Sequence, residues 1–215
     1  MLLEPKYSVD LRQHEVWEGD WVTQRFSAAL ECSNSQCGEF SIVVGDTEAI
    51  EDADEEHGWY FYYKLRPRAF FPAPPIIALP ESVPTKVEKE LEVSFALFWS
   101  DLGAAASRIR TALERILDDK GIKKFGQDKR TGKRVHLALA SRIQLFNSKY
   151  GEDQTAVMSA LRQLGNVGTH SETTRTAVLA AYELIDFTLS EIYEKRKIKI
   201  ARLAKTVAKK KGKLK

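Results

Sequence analysis

The chain has 215 residues, 43% of them hydrophobic and 29% charged, which is typical of a globular protein with a sizeable core. No apolar run reaches the roughly 20 residues that a membrane-spanning helix needs, and the N-terminus lacks the pattern of a signal peptide, so we expect a cytoplasmic protein with no membrane span. The net charge of +3 is unevenly distributed, because residues 195–215 hold eleven Lys or Arg and no acid. The rest of the chain is therefore acidic.

The first 79 residues are predicted to form a small β-rich region. Aromatic and β-branched residues dominate the runs 40–44 and 59–65, and turn signals and an acidic loop separate these runs, which indicates two strands of an antiparallel sheet. Five prolines in the stretch PAPPIIALPESVP, residues 72–84, prevent regular structure in its middle. This stretch is predicted to be an extended linker at the end of the β-rich region.

Residues 80–196 are predicted to form an antiparallel bundle of five amphipathic helices, so that the fold class is α+β and mainly α. A polar, basic and glycine-containing stretch at 122–134 interrupts the bundle and is predicted to be a flexible or ligand-ordered loop. The helices are expected at 84–98, 103–121, 135–147, 152–166 and 174–196. Apolar residues at three- and four-residue steps are the candidate core, namely Val87, Leu91, Phe95, Phe98, Ile109, Leu113, Ile116, Leu117, Val157, Leu161 and Leu164.

Two motifs lie on the second and fourth predicted helices. Arg110 and Glu114 form an i, i+4 pair, which is either an ordinary surface pair or part of a dimer contact. The second motif consists of Leu161, Arg162, Gly165, Asn166 and His170. In their order, spacing and helical setting these residues make the segment 79–196 resemble the HEPN superfamily, and most closely the domain-of-unknown-function group numbered 4145.

The HEPN resemblance implies a dimeric helical bundle from prokaryotic defence or toxin–antitoxin systems. Active members of the superfamily cleave RNA without a metal ion, and they use an arginine and a histidine at a site formed where two copies meet. This sequence departs from that pattern, because Gly165 stands where active members commonly carry arginine. The resemblance therefore implies the fold and a homodimer, and leaves cleavage open.

Arg162, Asn166 and His170 are the candidate catalytic residues. Their spacing of four would place them along one side of a helix, provided that the helix persists through Gly168. His170 could then act as general acid or base, Arg162 could hold a phosphate, and Asn166 could orient either group. Gly165 and Gly168 would let a nucleic-acid backbone or a second subunit approach. In the alternative interpretation, Gly168 ends the helix and His170 begins the next turn.

Cys32 and Cys37, followed by Gly38, resemble one knuckle of the zinc-ribbon-like module that often precedes this helical domain in related proteins. Structural zinc needs four ligands, and only His14 and His57 could complete the set. We therefore predict no bound metal, with a zinc site as the alternative. The β-rich region would then be a degenerate ribbon held by aromatic packing of Trp17, Trp21, Phe26 and Tyr60. A disulfide between the two cysteines is not expected in a reducing compartment.

The basic tail at 197–215, together with the end of the last helix, suits the phosphates of a nucleic acid. The alternatives are a solubilising, poorly ordered C-terminus and an anionic membrane surface. The candidate nucleic-acid-binding residues are Lys195, Arg196, Lys197, Lys199, Arg202, Lys209, Lys210 and Lys211.

The sequence contains no glycine-rich nucleotide loop, no metalloprotease His-Glu pair and no serine elbow, which argues against the enzyme classes that depend on them. Two function classes follow from the motifs and the tail. The first is a module that binds nucleic acid, with RNA favoured over DNA, or a partner protein. The second is a ribonuclease that uses Arg162 and His170 and needs no cofactor.

Overall fold

A computed structural model describes residues 1–56, 58–128, 130–150, 154–167, 173–194 and 196–209. The chain divides into two compact units, Met1–Pro74 and Pro75–Lys215, so the boundary lies inside the proline-rich segment. Helices contain 49% of the residues and strands contain 23%, so the protein is mixed α/β with more helix than strand. Within the described ranges, no helix combines the length and the apolar character needed to cross a membrane.

The N-terminal unit is a four-stranded antiparallel sheet in the order β1-β2-β3-β4. A short helix, α1 (Lys6–Leu11), and a 3-10 turn (Gly19–Trp21) connect the first two strands. The strands are β1 (Leu2–Leu3), β2 (Arg25–Glu31), β3 (Phe40–Asp54) and β4 (Gly58–Phe71). The two strands predicted from sequence are confirmed, but both are much longer, because β3 and β4 pair from Ile42 and Phe71 out to Asp54 and Gly58, with one irregularity between Val44 and Gly45.

A β-bulge bends the long β3-β4 pair. Val44 lies opposite Ala69 and Gly45 lies opposite Pro67, so that Arg68 is the additional residue of β4. Proline lacks a backbone donor and is tolerated within a sheet at such irregular positions. The side chain of Arg68 donates to Asp46 at 3.1 Å, and this ion pair joins the two strands across the bulge.

The C-terminal unit is a helical bundle in which the helix Leu102–Asp119 is central, since it contacts the preceding helix and the three helices that follow it. The predicted core stripes of the first two helices are confirmed, because Val87, Leu91, Ile109 and Leu113 are all at most 1% exposed. On the fourth predicted helix Leu161 is buried as predicted, together with Met158 and Gly165, whereas Val157 and Leu164 are only half-buried. The helices are α2 (Thr85–Leu97), α3 (Leu102–Asp119), α4 (Leu139–Tyr150), α5 (Thr155–Val167), α6 (Arg175–Leu189) and α7 (Arg196–Lys209).

The stretch between α3 and α4, for which the sequence predicts a flexible or ligand-ordered loop, contains regular secondary structure. It forms a hairpin of β5 (Phe125–Gln127) and β6 (Arg134–His136). Residues 135 and 136 belong to β6, so α4 begins at Leu139 rather than at 135. The hairpin forms because local turn chemistry closes it: the carboxylate of Asp128 accepts hydrogen bonds from two backbone N–H groups of the turn, and Gly132 adopts a φ of 67°.

A polar pair is enclosed between α2 and α6. The Ser94 hydroxyl donates to the Leu91 carbonyl at 2.8 Å and lies 2.9 Å from the Tyr182 hydroxyl. Since the serine proton is directed to Leu91, the tyrosine donates to the serine oxygen. Burial raises the pKa of Tyr182 to about 12. The pair therefore satisfies two buried hydroxyl groups within the apolar core.

An ion pair fixes α4 to the C-terminal end of α3. The Arg142 side chain is only 2% exposed and donates to Asp118 at 2.6 Å and to the Ile122 carbonyl at 3.3 Å. Lys124 adds a second cation 2.8 Å from Asp118. Burial alone would raise the pKa of Asp118, but the hydrogen bonds from Lys124 and Arg142 hold it below its usual value. The carboxylate therefore stays ionised and compensates a buried guanidinium.

Candidate functional site

Gly165 lets α5 approach α3 closely. A Cβ atom placed on Gly165 would lie 2.7 Å from the Cβ of Arg110 and 3.4 Å from the Ala106 carbonyl oxygen. Carbon atoms in favourable contact are about 3.5–4.0 Å apart, so even an alanine would require the helices to shift. The element that approaches this glycine is thus α3 of the same chain. A longer side chain, such as that of arginine, has no space at this position.

The two sequence motifs meet in one cluster through Arg110. The stem of Arg110 covers Gly165, with its Cδ 3.3 Å from the position of an added Cβ. Its head lies 3.7 Å from the carboxylate of Glu114, and the two side chains are 30% and 35% exposed. A partly exposed i, i+4 pair of this kind contributes only about 0.3–0.5 kcal/mol. The packing on Gly165 is therefore the larger structural role of Arg110.

Of the three candidate catalytic residues, Arg162 is the one whose side chain the structure describes. Arg162 lies on α5, is half-buried, and makes no hydrogen bond or ion pair with another described residue. Asn166 lies in the last turn of α5, but its side chain is outside what is described, and His170 lies outside the described residues altogether. The predicted alignment of the three side chains thus stays a prediction, as does the interpretation of Gly168 as a helix stop.

The basic tail is helical over most of its length. Helix α7 follows a π-helical turn, Ser190–Glu194, and carries five of the predicted binding residues. Lys199, Arg202 and Lys209 are exposed on α7. Lys205, which is not among the predicted binding residues, is exposed there too. Arg196 and Lys197 are in the helix with side chains that are not described, whereas Lys195, Lys210 and Lys211 lie outside the described residues.

Helix α7 has a cationic side and an apolar side. At about 100° per residue, the four exposed cations fall within an arc of about 120°, and none of them forms an ion pair with a described carboxylate. Ile200, Leu203 and Val207 fall within an adjacent arc of about 60°. Ile200 is 56% and Leu203 55% exposed. The helix therefore presents unneutralised positive charge beside a narrow aliphatic strip.

The π-helical turn anchors the beginning of α7 to the bundle. The Tyr193 hydroxyl donates to Asp119 at 3.0 Å, and the Lys120 ammonium lies 4.1 Å from the centre of the Tyr193 ring. Burial first, and then the charge of Asp119 and the hydrogen bond to it, raise the pKa of Tyr193 well above its usual value. The tyrosine thus stays protonated and joins the root of α7 to the C-terminal end of α3.

The β5-β6 hairpin is a second basic surface, and sequence reasoning did not predict its contact residues. Phe125, Arg134 and His136 are all exposed on it. The Arg134 guanidinium carbon lies 4.1 Å from the centre of the Phe125 ring. The available signal was the pair of short segments on either side of an Asp- and Gly-containing turn, in a stretch that is otherwise basic.

The two cysteines lie on the connection between β2 and β3. Cys32 and Cys37 are exposed and unbridged. In the part of the chain that the structure describes, no three His, Cys, Asp or Glu side chains are placed to hold a metal ion. His14 contacts the Trp21 ring, with centroids 5.5 Å apart, and His57 lies outside the described residues. The described geometry therefore offers no candidate ligand set for zinc.

Two family models match the chain. Residues 92–211 match the model described as Domain of unknown function (DUF4145), which covers the helical bundle from the middle of α2 through α7. Residues 2–71 match a second model, Domain of unknown function (DUF8608), which covers the four-stranded sheet. No curated protein and no solved structure matches the chain.

Proposed function

The chain belongs to the DUF4145 family, and we propose that it binds nucleic acid through α7, with RNA as the favoured ligand. The observation that carries the proposal is the set of exposed cations on α7 that no described carboxylate neutralises. Lysine and arginine side chains in such a row displace condensed counterions from a phosphate backbone, and this release of ions favours binding without sequence preference.

The shape of α7 favours nucleic acid over a membrane surface as its ligand. Helices that lie in a membrane interface carry a wide apolar face with tryptophan, phenylalanine and leucine. The apolar side of α7 is narrow and contains no aromatic residue. A helix of 14 residues is also marginally stable by itself in water, so a bound phosphate backbone would stabilise it.

In this proposal the helical unit is a HEPN-like bundle that pairs with a second copy, in the defence or toxin–antitoxin setting that the resemblance implies. The close packing at Gly165 supports binding rather than cleavage, because the arginine of active members cannot be accommodated beside Arg110. The bundle would then serve as a platform that holds α7, through the anchoring of Tyr193 to Asp119.

The test is fluorescence anisotropy with a labelled single-stranded RNA over a series of salt concentrations. The variant carries four substitutions, Lys199→Gln, Arg202→Gln, Lys205→Gln and Lys209→Gln. If each cation neutralises one phosphate, the slope of log affinity against log salt should flatten by about 3, since each contact with a single strand contributes about 0.7. Affinity at low salt should fall at least tenfold.

The matched control removes four exposed lysines elsewhere and so makes the same change in net charge: Lys6→Gln, Lys64→Gln, Lys86→Gln and Lys89→Gln. The control should keep the salt slope of the natural chain. Equal flattening in both variants would show that net charge, and not α7, governs binding. Binding to vesicles of anionic lipid with no binding to RNA would assign α7 to a membrane surface and overturn the proposal.

A second candidate function, metal-independent RNA cleavage, is favoured by the state of Arg162. Arg162 is half-buried on α5 and makes no hydrogen bond or ion pair with another described residue, so its guanidinium is available to hold a phosphate. In this version Arg162, Asn166 and His170 form the catalytic set. Cleavage of labelled RNA in the presence of a chelator should be lost in Arg162→Ala and His170→Ala and kept in the neighbouring control Gln163→Ala. A natural chain that cuts no RNA contradicts this second candidate.

A further inference from the structure

We propose that the β5-β6 hairpin is a stacking site for the bases of a single-stranded nucleic acid. This inference shares with the proposed function the premise that the chain binds nucleic acid, but it concerns different residues and a different kind of contact. It assigns to the hairpin the discrimination between single strands and duplexes, which the charges of α7 alone do not provide.

The register of the hairpin places four side chains on one face. Phe125 lies directly opposite His136, and Gln127 lies directly opposite Arg134. Residues that are opposite each other in an antiparallel pair point to the same side of the ribbon. All four are exposed, and Phe125 keeps 43% of its surface accessible.

The aromatic and cationic groups on this face are in mutual contact. The Arg134 guanidinium carbon lies 4.1 Å from the centre of the Phe125 ring, which is within the range of a cation–π contact. The His136 ring meets the Phe125 ring edge-on, with centroids 5.3 Å apart and planes at 82°. These contacts limit the rotamers of all three side chains, so an incoming base would meet an ordered platform.

The opposite face of the hairpin is partly filled from within the chain. A Cβ on Gly126 would lie 2.8 Å from the Cδ2 of Leu137, so the leucine side chain occupies the space beside this glycine. The Leu137 backbone N–H also donates to the Lys124 carbonyl at 2.8 Å. These contacts tie the base of the hairpin together, and the Phe125 face carries the aromatic and cationic side chains that a ligand would meet.

The charges of the hairpin favour a polyanion. Lys123, Arg130, Lys133 and Arg134 are exposed and form no ion pair with a described carboxylate. The single acid of the stretch, Asp128, is used by the turn: its carboxylate accepts from the backbone N–H groups of Arg130 and Thr131 and from the Thr131 hydroxyl. These hydrogen bonds, led by those from Thr131, also lower the pKa of Asp128.

Phosphate attraction combined with an exposed aromatic platform points to single strands. Bases in a duplex are stacked on each other and do not present their faces, whereas bases in a single strand can stack on phenylalanine, histidine or a guanidinium plane. An acidic protein partner would use the cations but would have no need of the ordered Phe125 face. The combination on one face therefore favours a single-stranded nucleic acid over a protein.

The test uses the full chain with two labelled probes, a single-stranded RNA of about ten nucleotides and an RNA duplex of the same length. Phe125→Ala should weaken binding to the single strand by about 5- to 100-fold, the range for loss of one stacked base, and change binding to the duplex by less than about twofold. Phe125→Trp should restore single-strand binding. The matched control is Val135→Ala, which shortens an apolar side chain on the other face and should bind as the natural chain does.

Arg134→Lys is the second variant, because it keeps the charge and removes the planar guanidinium. It should weaken single-strand binding severalfold without changing the salt slope. Both variants should show the circular dichroism spectrum and the melting temperature of the natural chain, since the replaced side chains are exposed. Equal losses for single strand and duplex in Phe125→Ala would mean that the hairpin acts without stacking, and would overturn the inference.

The outcomes separate this inference from the proposed function. If Phe125→Ala binds the single strand normally while the α7 variant loses affinity, the hairpin site is refuted and the role of α7 stands. If the α7 variant binds normally while Phe125→Ala loses single-strand binding, the role of α7 is refuted and the hairpin site stands. A natural chain that binds neither probe refutes both. A loss of affinity in the α7 variant, together with a loss of binding to the single strand but not to the duplex in Phe125→Ala, supports both proposals.

Discussion

Replacing Gly165 with alanine should destabilise the protein, although alanine is the better helix former. Helix propensity alone favours alanine over glycine by about 1 kcal/mol. Against this, the added Cβ would lie 2.7 Å from the Cβ of Arg110, an atom fixed to the backbone of α3. Inserting a methyl group into a packed contact of this kind costs about 1–3 kcal/mol. We expect a net loss of about 1 kcal/mol in the free energy of unfolding.

The assay is urea and thermal unfolding followed by far-UV circular dichroism. A loss of about 1 kcal/mol lowers the melting temperature of a domain of this size by roughly 2–4 °C. Gln163→Ala, at an exposed position of the same helix, is the matched control and should change stability little. A Gly165→Ala variant that melts at a higher temperature would refute the reasoning, because propensity would then outweigh packing.

The partner of the clash can be identified by changing Arg110. In an Arg110→Gly background the opposing Cβ is gone, so Gly165→Ala should become neutral or stabilising by up to about 1 kcal/mol. In an Arg110→Ala background the Cβ remains, and Gly165→Ala should still destabilise. Comparing Gly165→Ala within each background removes the separate effects of the lost Glu114 ion pair. Equal effects of Gly165→Ala in the two backgrounds would exclude Arg110 as the obstacle.

Four further predictions follow from the buried polar groups and from the proposed assembly. Asp118→Ala leaves the buried Arg142 guanidinium uncompensated and should lower the free energy of unfolding by about 3 kcal/mol or more in urea titrations. The pKa of Asp118 is lowered in the folded state, so its contribution to stability is complete above its unfolded pKa of about 4 and is lost as the pH falls through the folded pKa. Asp118→Asn has no carboxylate to protonate, so its free energy of unfolding should fall less on acidification than that of the natural chain. Ser94→Ala leaves the buried Tyr182 hydroxyl without a partner and should lower the free energy of unfolding by about 1–3 kcal/mol. Tyr182→Phe should cost less, because Ser94 keeps its hydrogen bond to the Leu91 carbonyl in that variant. The reverse order would contradict this assignment of donor and acceptor. Light scattering should report about twice the chain mass of 24.4 kDa. A monomer would contradict the proposed pairing with a second copy and any site formed where two copies meet.

The helices of the bundle could be predicted from the sequence because their pattern is local. Val87, Leu91 and Phe95 recur at helical spacing and are buried, as the period requires. The strands at 40–44 and 59–65 were likewise recognisable from composition. Their extension to Asp54 and Gly58 was not, since that part of β3 is an acidic stretch which a sequence pattern assigns to a loop.

Contacts that depend on the position of another element could not be predicted from the sequence. The hairpin at 125–136 contains strands of three residues, too short to show a period, and is closed by hydrogen bonds to one carboxylate. The contact of Phe125 with Arg134 and His136 exists only once the register of that hairpin is set.

Gly165 shows the same division most clearly. The sequence alone predicts a costly glycine in a helix, at a place where a nucleic-acid backbone or a second subunit could approach. The sequence by itself determined which helix carries the glycine, because hydrophobic periodicity is a property of one segment. Only the tertiary structure decided what faces it, since the 2.7 Å separation depends on how α3 and α5 pack and so brings together two residues, Arg110 and Gly165, that are more than 50 positions apart in the chain.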